Sequence, residues 1–191
     1  MMCNFRPAAC AVLGWLAISL PALPVAAQTD SLPAPKTETF GRWSTIVDEL
    51  KAGEEVRKTC AASTAFLDSY GTGGTLTLAI SNGDALPPNG YPSIVIALRN
   101  KDLPTGEHIA AEFSDDKGKV KATVSADVGD QWMLDNKTDI ALAVLRAMRR
   151  ASTVDVVFGK QPVGTISMDG FTKAYRSLGL SCGFPTVDVA P

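Results

Sequence analysis

The chain has 191 residues, 46% of them hydrophobic and 20% charged, with a formal net charge of -2 at pH 7. That length suits one domain plus a targeting segment, and one domain of this size buries a core without metals or many disulfides. Mild acidity argues against a nucleic-acid or anionic-membrane surface, and no segment after residue 27 reads as a membrane-spanning helix.

Residues Met1–Ala27 read as a Sec-type signal peptide. Arg6 is the only charge, Pro7–Leu20 is a mostly apolar run too short for a comfortable span, and Val25 and Ala27 are the small residues before cleavage ahead of Gln28. An uncleaved anchor is the alternative. Cys10 lies too early in the apolar run for lipid attachment. Cleavage removes one base and no acid, so the remainder carries a net charge of -3. It also removes Cys3 and Cys10, leaving Cys60 and Cys182, most simply one disulfide in an oxidising compartment. Two free thiols or an intermolecular bridge are the other options.

Gln28–Thr39, with Pro33 and Pro35 and no periodicity, reads as a flexible leader. The domain is expected over 40–184, with 185–191 as a proline-bounded tail. Trp43, Thr45 and Val47 share one face of a first strand, and Asp48–Glu54 reads as a hairpin loop. Glu55–Phe66, carrying Cys60, is the partner strand, although its alanines also permit a helix. Tyr70–Gly74 is a turn and not a phosphate loop, since no lysine follows at the required spacing and a strand comes next.

Thr75–Ile80 alternates with Leu76, Leu78 and Ile80 on one face, and Ser81–Pro92 is a loop marked by Asn-Gly and Pro-Pro pairs. Ser93–Leu98 is continuously apolar, which predicts a strand covered on both faces. His108–Phe113 and Lys119–Ser125 are strands joined at the Ser114–Gly118 hairpin, so the middle of the chain reads as an antiparallel meander.

A helix follows, with caps within Asn136–Asp139 and a stripe of Ile140, Val144, Ala147 and Met148. Arg146, Arg149 and Arg150 gather at its C-terminal end, where the macrodipole favours them. They are either a possible binding patch for a carboxylate or phosphate, or a solvated helix end. Val154–Phe158 and Val163–Met168 form a strand pair. Asp169 then caps a helix on which Phe171, Ala174, Tyr175 and Leu178 make the buried stripe and Gly179 marks the end. Eight strands and two helices predict a mainly β fold, an antiparallel β sandwich with two short peripheral helices. An open barrel is the alternative.

No chemical constellation stands out. Ser81, Ser93, Ser114, Ser167 and Ser181 lack a nucleophile-elbow context. His108, the sole histidine, reads as a surface or edge residue unless a nucleophile lies within reach. Asp115-Asp116 sits in a turn, and Asp127, Asp130 and Glu112 match no calcium loop. Cys60 and Cys182 lack the C-x-x-C arrangement of a redox catalyst. Trp43, Tyr91 and Trp132 are too scattered for a stacking platform. No cofactor and no metal site are expected.

The stretch V-D-V-V-F-G, a short turn, and V-G-T-I-S-M-D-G-F-T-K-A-Y-R-S-L resembles the closing motif of the invasion-associated locus B family of exported Gram-negative proteins. Ser167, Met168, Asp169, Gly170, Phe171 and Ala174 stand at that family's turn and short helix. The opening F-G-R-W of Phe40–Trp43 is similar to the family's entry. The family's usual cysteine, expected near Ile46–Asp48, is missing, which implies a different disulfide scheme. The resemblance implies a periplasmic, secreted or cell-surface location and action through an unknown protein partner, and it carries no catalytic residues. The expectation is therefore a non-enzymatic exported protein. The alternatives are a small envelope hydrolase or ligand-binding module around His108, and an exported inhibitor of a lytic enzyme presenting Asn82–Tyr91 as a protruding loop.

Overall fold

The computed structural model describes residues 34–99, 103–126, 130–135 and 137–191. The expected signal peptide, its cleavage site, most of the leader and the candidate cap Asn136 lie outside them. Ten strands and two helices follow in the order β1 (Lys36–Phe40), β2 (Trp43–Ala52), β3 (Glu55–Leu67), β4 (Gly73–Ser81), β5 (Ser93–Leu98), β6 (Gly106–Asp115), β7 (Gly118–Ala126), β8 (Gln131–Leu134), α1 (Thr138–Arg150), β9 (Thr153–Phe158), β10 (Gln161–Ser167) and α2 (Phe171–Cys182).

All strands belong to one antiparallel sheet with the spatial order β1-β2-β3-β4-β5-β8-β7-β6-β9-β10. The fold is thus mainly β with two helices, as its alternating strands imply. The far end of the sheet curls back without closing. Gly164 of β10 forms a single bridge with Asp68 beyond β3. Next to it, the Ser69 amide donates to Val163 O and its hydroxyl to Pro162 O.

Two strands depart from the sequence pattern. Within the expected leader, β1 forms, although four of its five residues are exposed and no apolar alternation announces it. In the middle of the chain, β8 inserts between β5 and β7, so the expected meander is interrupted. Its signal is only four residues long, but Trp132 and Leu134 are buried and the Trp132 indole donates to Pro104 O at 2.8 Å. The loop expected over Asp48–Glu54 shrinks to Gly53-Glu54, because β2 runs on to Ala52.

Buried side chains fall on one face of the sheet, and a single apolar cluster joins them to both helices. On β5, Ile94, Ile96 and Leu98 are buried while Val95 and Ala97 are only half-buried, so this strand is not covered equally on both faces as its composition suggests. Nor are the helices peripheral. α1 packs on β6, β7 and β9 through Ala141, Val144, Leu145, Ala147 and Met148, and α2 packs on β1, β2 and β3. Phe171, Ala174, Tyr175 and Leu178 are all buried, the stripe that their i, i+3, i+4, i+7 spacing predicts.

Trp43 stands edge-on to Phe171 with centroids 5.1 Å apart, and its indole donates to Ser167 O. Cys60 on β3 is disulfide-bonded to Cys182 at the end of α2, linking positions 122 residues apart. The helix passes Gly179 and ends at Gly183, which takes the left-handed conformation at φ 72°. The expected tail is packed in: Val189 and Ala190 are 1% exposed, and Arg176 bonds to Ala190 O and Pro191 O.

Candidate functional site

Strand β6 opens with a register shift between Gly106 and Ile109 in its pairing with β7, and His108 lies inside that bulge at φ 54°. A non-glycine residue there is uncommon, and bulges often re-aim a side chain. Here the bulge turns the imidazole toward the end of β8. His108 Nδ1 lies 2.7 Å from Asp135 Oδ2, and Ser125 Oγ of β7 donates to Asp135 Oδ1 at 2.7 Å. Ser125 Oγ also accepts the His108 amide at 3.2 Å, and the Asp135 amide donates to Thr123 O. Three elements therefore converge on one carboxylate.

Burial would push the Asp135 carboxyl up. Side-chain hydrogen bonds from Thr123, His108 and Ser125, and the nearby imidazole charge, outweigh it and hold the group at about 2. His108 is pushed up from its ordinary value, first by its hydrogen bond to Asp135 and then by that group's charge. With Nδ1 on the carboxylate, Nε2 is the free nitrogen, and the His108 side chain is 75% exposed against 14% for Asp135. The arrangement orients an imidazole and raises its basicity. Ser125, however, is spent on the carboxylate, not aligned on Nε2, so the three do not form a nucleophile–base–orienter relay.

The described clefts lie elsewhere. One of about 390 Å³ lies between the β1–β2 turn and the start of α2, and one of about 370 Å³ lies between the end of β3 and β9–β10. Among the described residues no group of three His, Cys, Asp or Glu side chains is arranged to hold a metal ion.

The three arginines do not converge. Arg146 Nε donates to Asp188 O, whose carboxylate also accepts the Tyr91 hydroxyl. Burial, followed by Asp188, pushes that tyrosine up to about 12. Arg150 Nε lies 2.5 Å from Asp115 Oδ2 of the β6–β7 hairpin and holds that carboxyl below its usual range. Arg149 is exposed. Asp115 thus serves a structural ion pair, while Asp116 sits exposed in the turn. In the segment 82–91, Pro87, Gly90 and Tyr91 are buried and the other residues are exposed; Asn82 donates to Val56 O, and Asn89 O accepts the Thr138 hydroxyl.

A second feature is the outer face of the sheet, opposite the core. Cross-strand register aligns Ile46–Ala61–Ala79–Ser93, then Ser44–Ser63–Thr77–Val95–Met133–Ser125, then Ala65–Thr75–Ala97–Gln131. No charged residue falls on these rows. Met133 is 51% exposed and Ile46 39%. Across β6, β7 and β9 the same face is charged, carrying Glu112 opposite Lys121, and Asp155. These three rows end at Ser125, beside His108, and the outward positions beyond them on β2 and β3 include Asp48 and Arg57.

Sequence reasoning reached His108 but not its partners. Asp135 follows a strand too short to show periodicity, and Ser125 reads as one more outward residue of β7. The uncharged rows were present in the alternations, but their alignment needs the register. No family model, no curated protein and no solved structure matches the chain.

Proposed function

We propose that the chain is an exported, non-catalytic protein that acts by contact with another protein in the periplasm or at the cell surface, in the manner of the invasion-associated locus B proteins it resembles. One observation carries this reading. Three aligned rows across the outer face of β2–β3–β4–β5–β8 carry no charge, while the positions around them, from Asp48 and Arg57 to Glu112, Lys121 and Asp155, are charged as on a solvated sheet. An interface core is depleted of charge in the same way. The disulfide suits an oxidising compartment, and among the described residues no helix is long and apolar enough to cross a membrane. With this goes the finer reading of the fold, in which the two halves of the sheet act as sandwich-like layers with α2 seated on one and α1 on the other.

The test is gentle co-purification of the exported protein from the envelope. The unmodified chain and Lys121→Glu should retain the same partner, and Val95→Lys should lose it. Equal recovery by all three would remove the uncharged face from consideration.

The His108–Asp135 pair supports a second reading, a small hydrolase in which the oriented imidazole activates water. Ester or amide turnover by the purified protein that vanishes in His108→Gln, with folding intact, would favour it over the contact reading.

A further inference from the structure

The two ends of the sheet are finished differently. At the β10 end, Ser69, Arg42 and the Trp43 indole bond to the carbonyls of Val163, Asp169 and Ser167. At the β1 end, no strand lies beyond Lys36–Phe40 among the described residues. The β1–β2 hairpin turns through Gly41-Arg42 with Phe40 opposite Trp43. In a two-residue hairpin that flanking pair exchanges backbone hydrogen bonds, and the pairs alternate from there. Phe40, Glu38 and Lys36 therefore direct their amides and carbonyls to β2. Thr37 and Thr39 direct theirs outward, to an edge that no other described strand pairs with.

We propose that this edge pairs with β1 of a second copy of the chain, antiparallel, across a two-fold axis at Thr37. The charges select the occupant and the register. Centred on Thr37, the pairing sets Lys36 of each copy opposite Glu38 of the other. Centred on Glu38, it would oppose two carboxylates; centred on Thr39, it would oppose Lys36 to Arg42. Like charges directly opposite destabilise a strand pair, and opposite charges support it.

Glu38 is already oriented, because Ser177 Oγ donates to its Oε2 at 2.9 Å, leaving Oε1 for a lysine. The Thr37 amides and carbonyls exchange bonds at the axis, and Thr39 N–H donates to Pro35 O of the other copy. Pro35 has no N–H to return, so the ladder stops there and the contact stays short. Thr37 and Thr39 pair with Ile46 and Ser44, so the uncharged outer surface would run on across the axis. This inference does not depend on what that surface binds.

Sedimentation velocity on the chain starting at Gln28, from micromolar to millimolar concentration, tests it. A monomer–dimer equilibrium is expected, and Thr37→Pro should abolish it. An outward-facing N–H is expendable within the monomer, so melting should hardly change. Lys36→Glu alone and Glu38→Lys alone should each raise the dissociation constant about tenfold, since two symmetric pairs turn repulsive. The double swap should restore it to near the original value, which decides the matter even if Thr37→Pro fails to fold. A monomer throughout, a dimer indifferent to Thr37→Pro in a folded protein, or a double swap no better than the singles would each overturn the proposal.

Discussion

His108 occupies a strained backbone position, at φ 54° within a bulge, and its side chain reaches the one carboxylate that ties β6, β7 and the end of β8 together. Its folded-state affinity for protons exceeds the ordinary 6.5, so its contribution to stability is complete below that value and fades as pH rises through the raised one. Asp135 behaves oppositely. Its contribution is complete above 3.8 and is lost as pH falls toward about 2. The pair should therefore stabilise most between about pH 4 and 6.5. Denaturant midpoints of the native chain and His108→Gln should differ most in that window and converge under mildly alkaline conditions. A gap independent of pH would mean the contact is packing alone. Asp135→Ala should cost about 1–3 kcal/mol, because Ser125 and Thr123 lose their acceptor. Phe171, fully enclosed against Trp43 and Tyr175, should cost about 3–5 kcal/mol on truncation to Ala, read from chemical denaturation.

Helix α2 shows how a sequence signal can be right in kind and wrong in meaning. Gly179 reads as a helix end, yet the helix runs through it to Cys182. A Cβ there would lie 2.2 Å from Thr186 Cγ2 and 2.9 Å from Phe184 O, so glycine is required by the returning tail. Likewise, a Cβ at Gly170 would fall 1.7 Å from Phe40 O, where the β1–β2 turn crosses the start of the helix. Gly179→Ala gains helix propensity of about 1 kcal/mol but must displace backbone, which costs about 1–3 kcal/mol. Net destabilisation, seen as a lower melting temperature, is the expected result. The amphipathic stripe of α2 and the alternations of β4, β6, β7 and β9 were legible because burial on one face leaves a period in the chain. β1 and β8 were not, the first because almost nothing on it is buried and the second because four residues cannot establish a period. The site suffered the same loss, since Asp135 lies just past β8 and is brought to His108 only by that strand's insertion.

For the molecule as a whole, the Cys60–Cys182 bond fastens the first half of the sheet to the last helix. Cross-linking positions so far apart should contribute on the order of 4–5 kcal/mol by chain entropy, with measured values tending lower. Reduction, or a Cys60→Ala/Cys182→Ala variant, should lower the denaturation midpoint accordingly; an unchanged midpoint would mean that the packing of α2 on β1, β2 and β3 suffices. N-terminal sequencing of exported material should begin at Gln28, and an intact Met1 would contradict the processing expected from the sequence.

The place of β8 also bears on the route by which the chain reaches its fold. β1 through β5 can zip together as successive hairpins, each from local contacts. If the strands pair in chain order, the far edge of β5 waits for Gln131–Leu134 while β6 and β7 form and pair with each other. During that interval the most apolar strand of the sheet, SIVIAL, presents an open row of amides and carbonyls to any neighbouring chain. Refolding yield should therefore fall steeply with protein concentration, and more so when Trp132→Ala slows the arrival of β8.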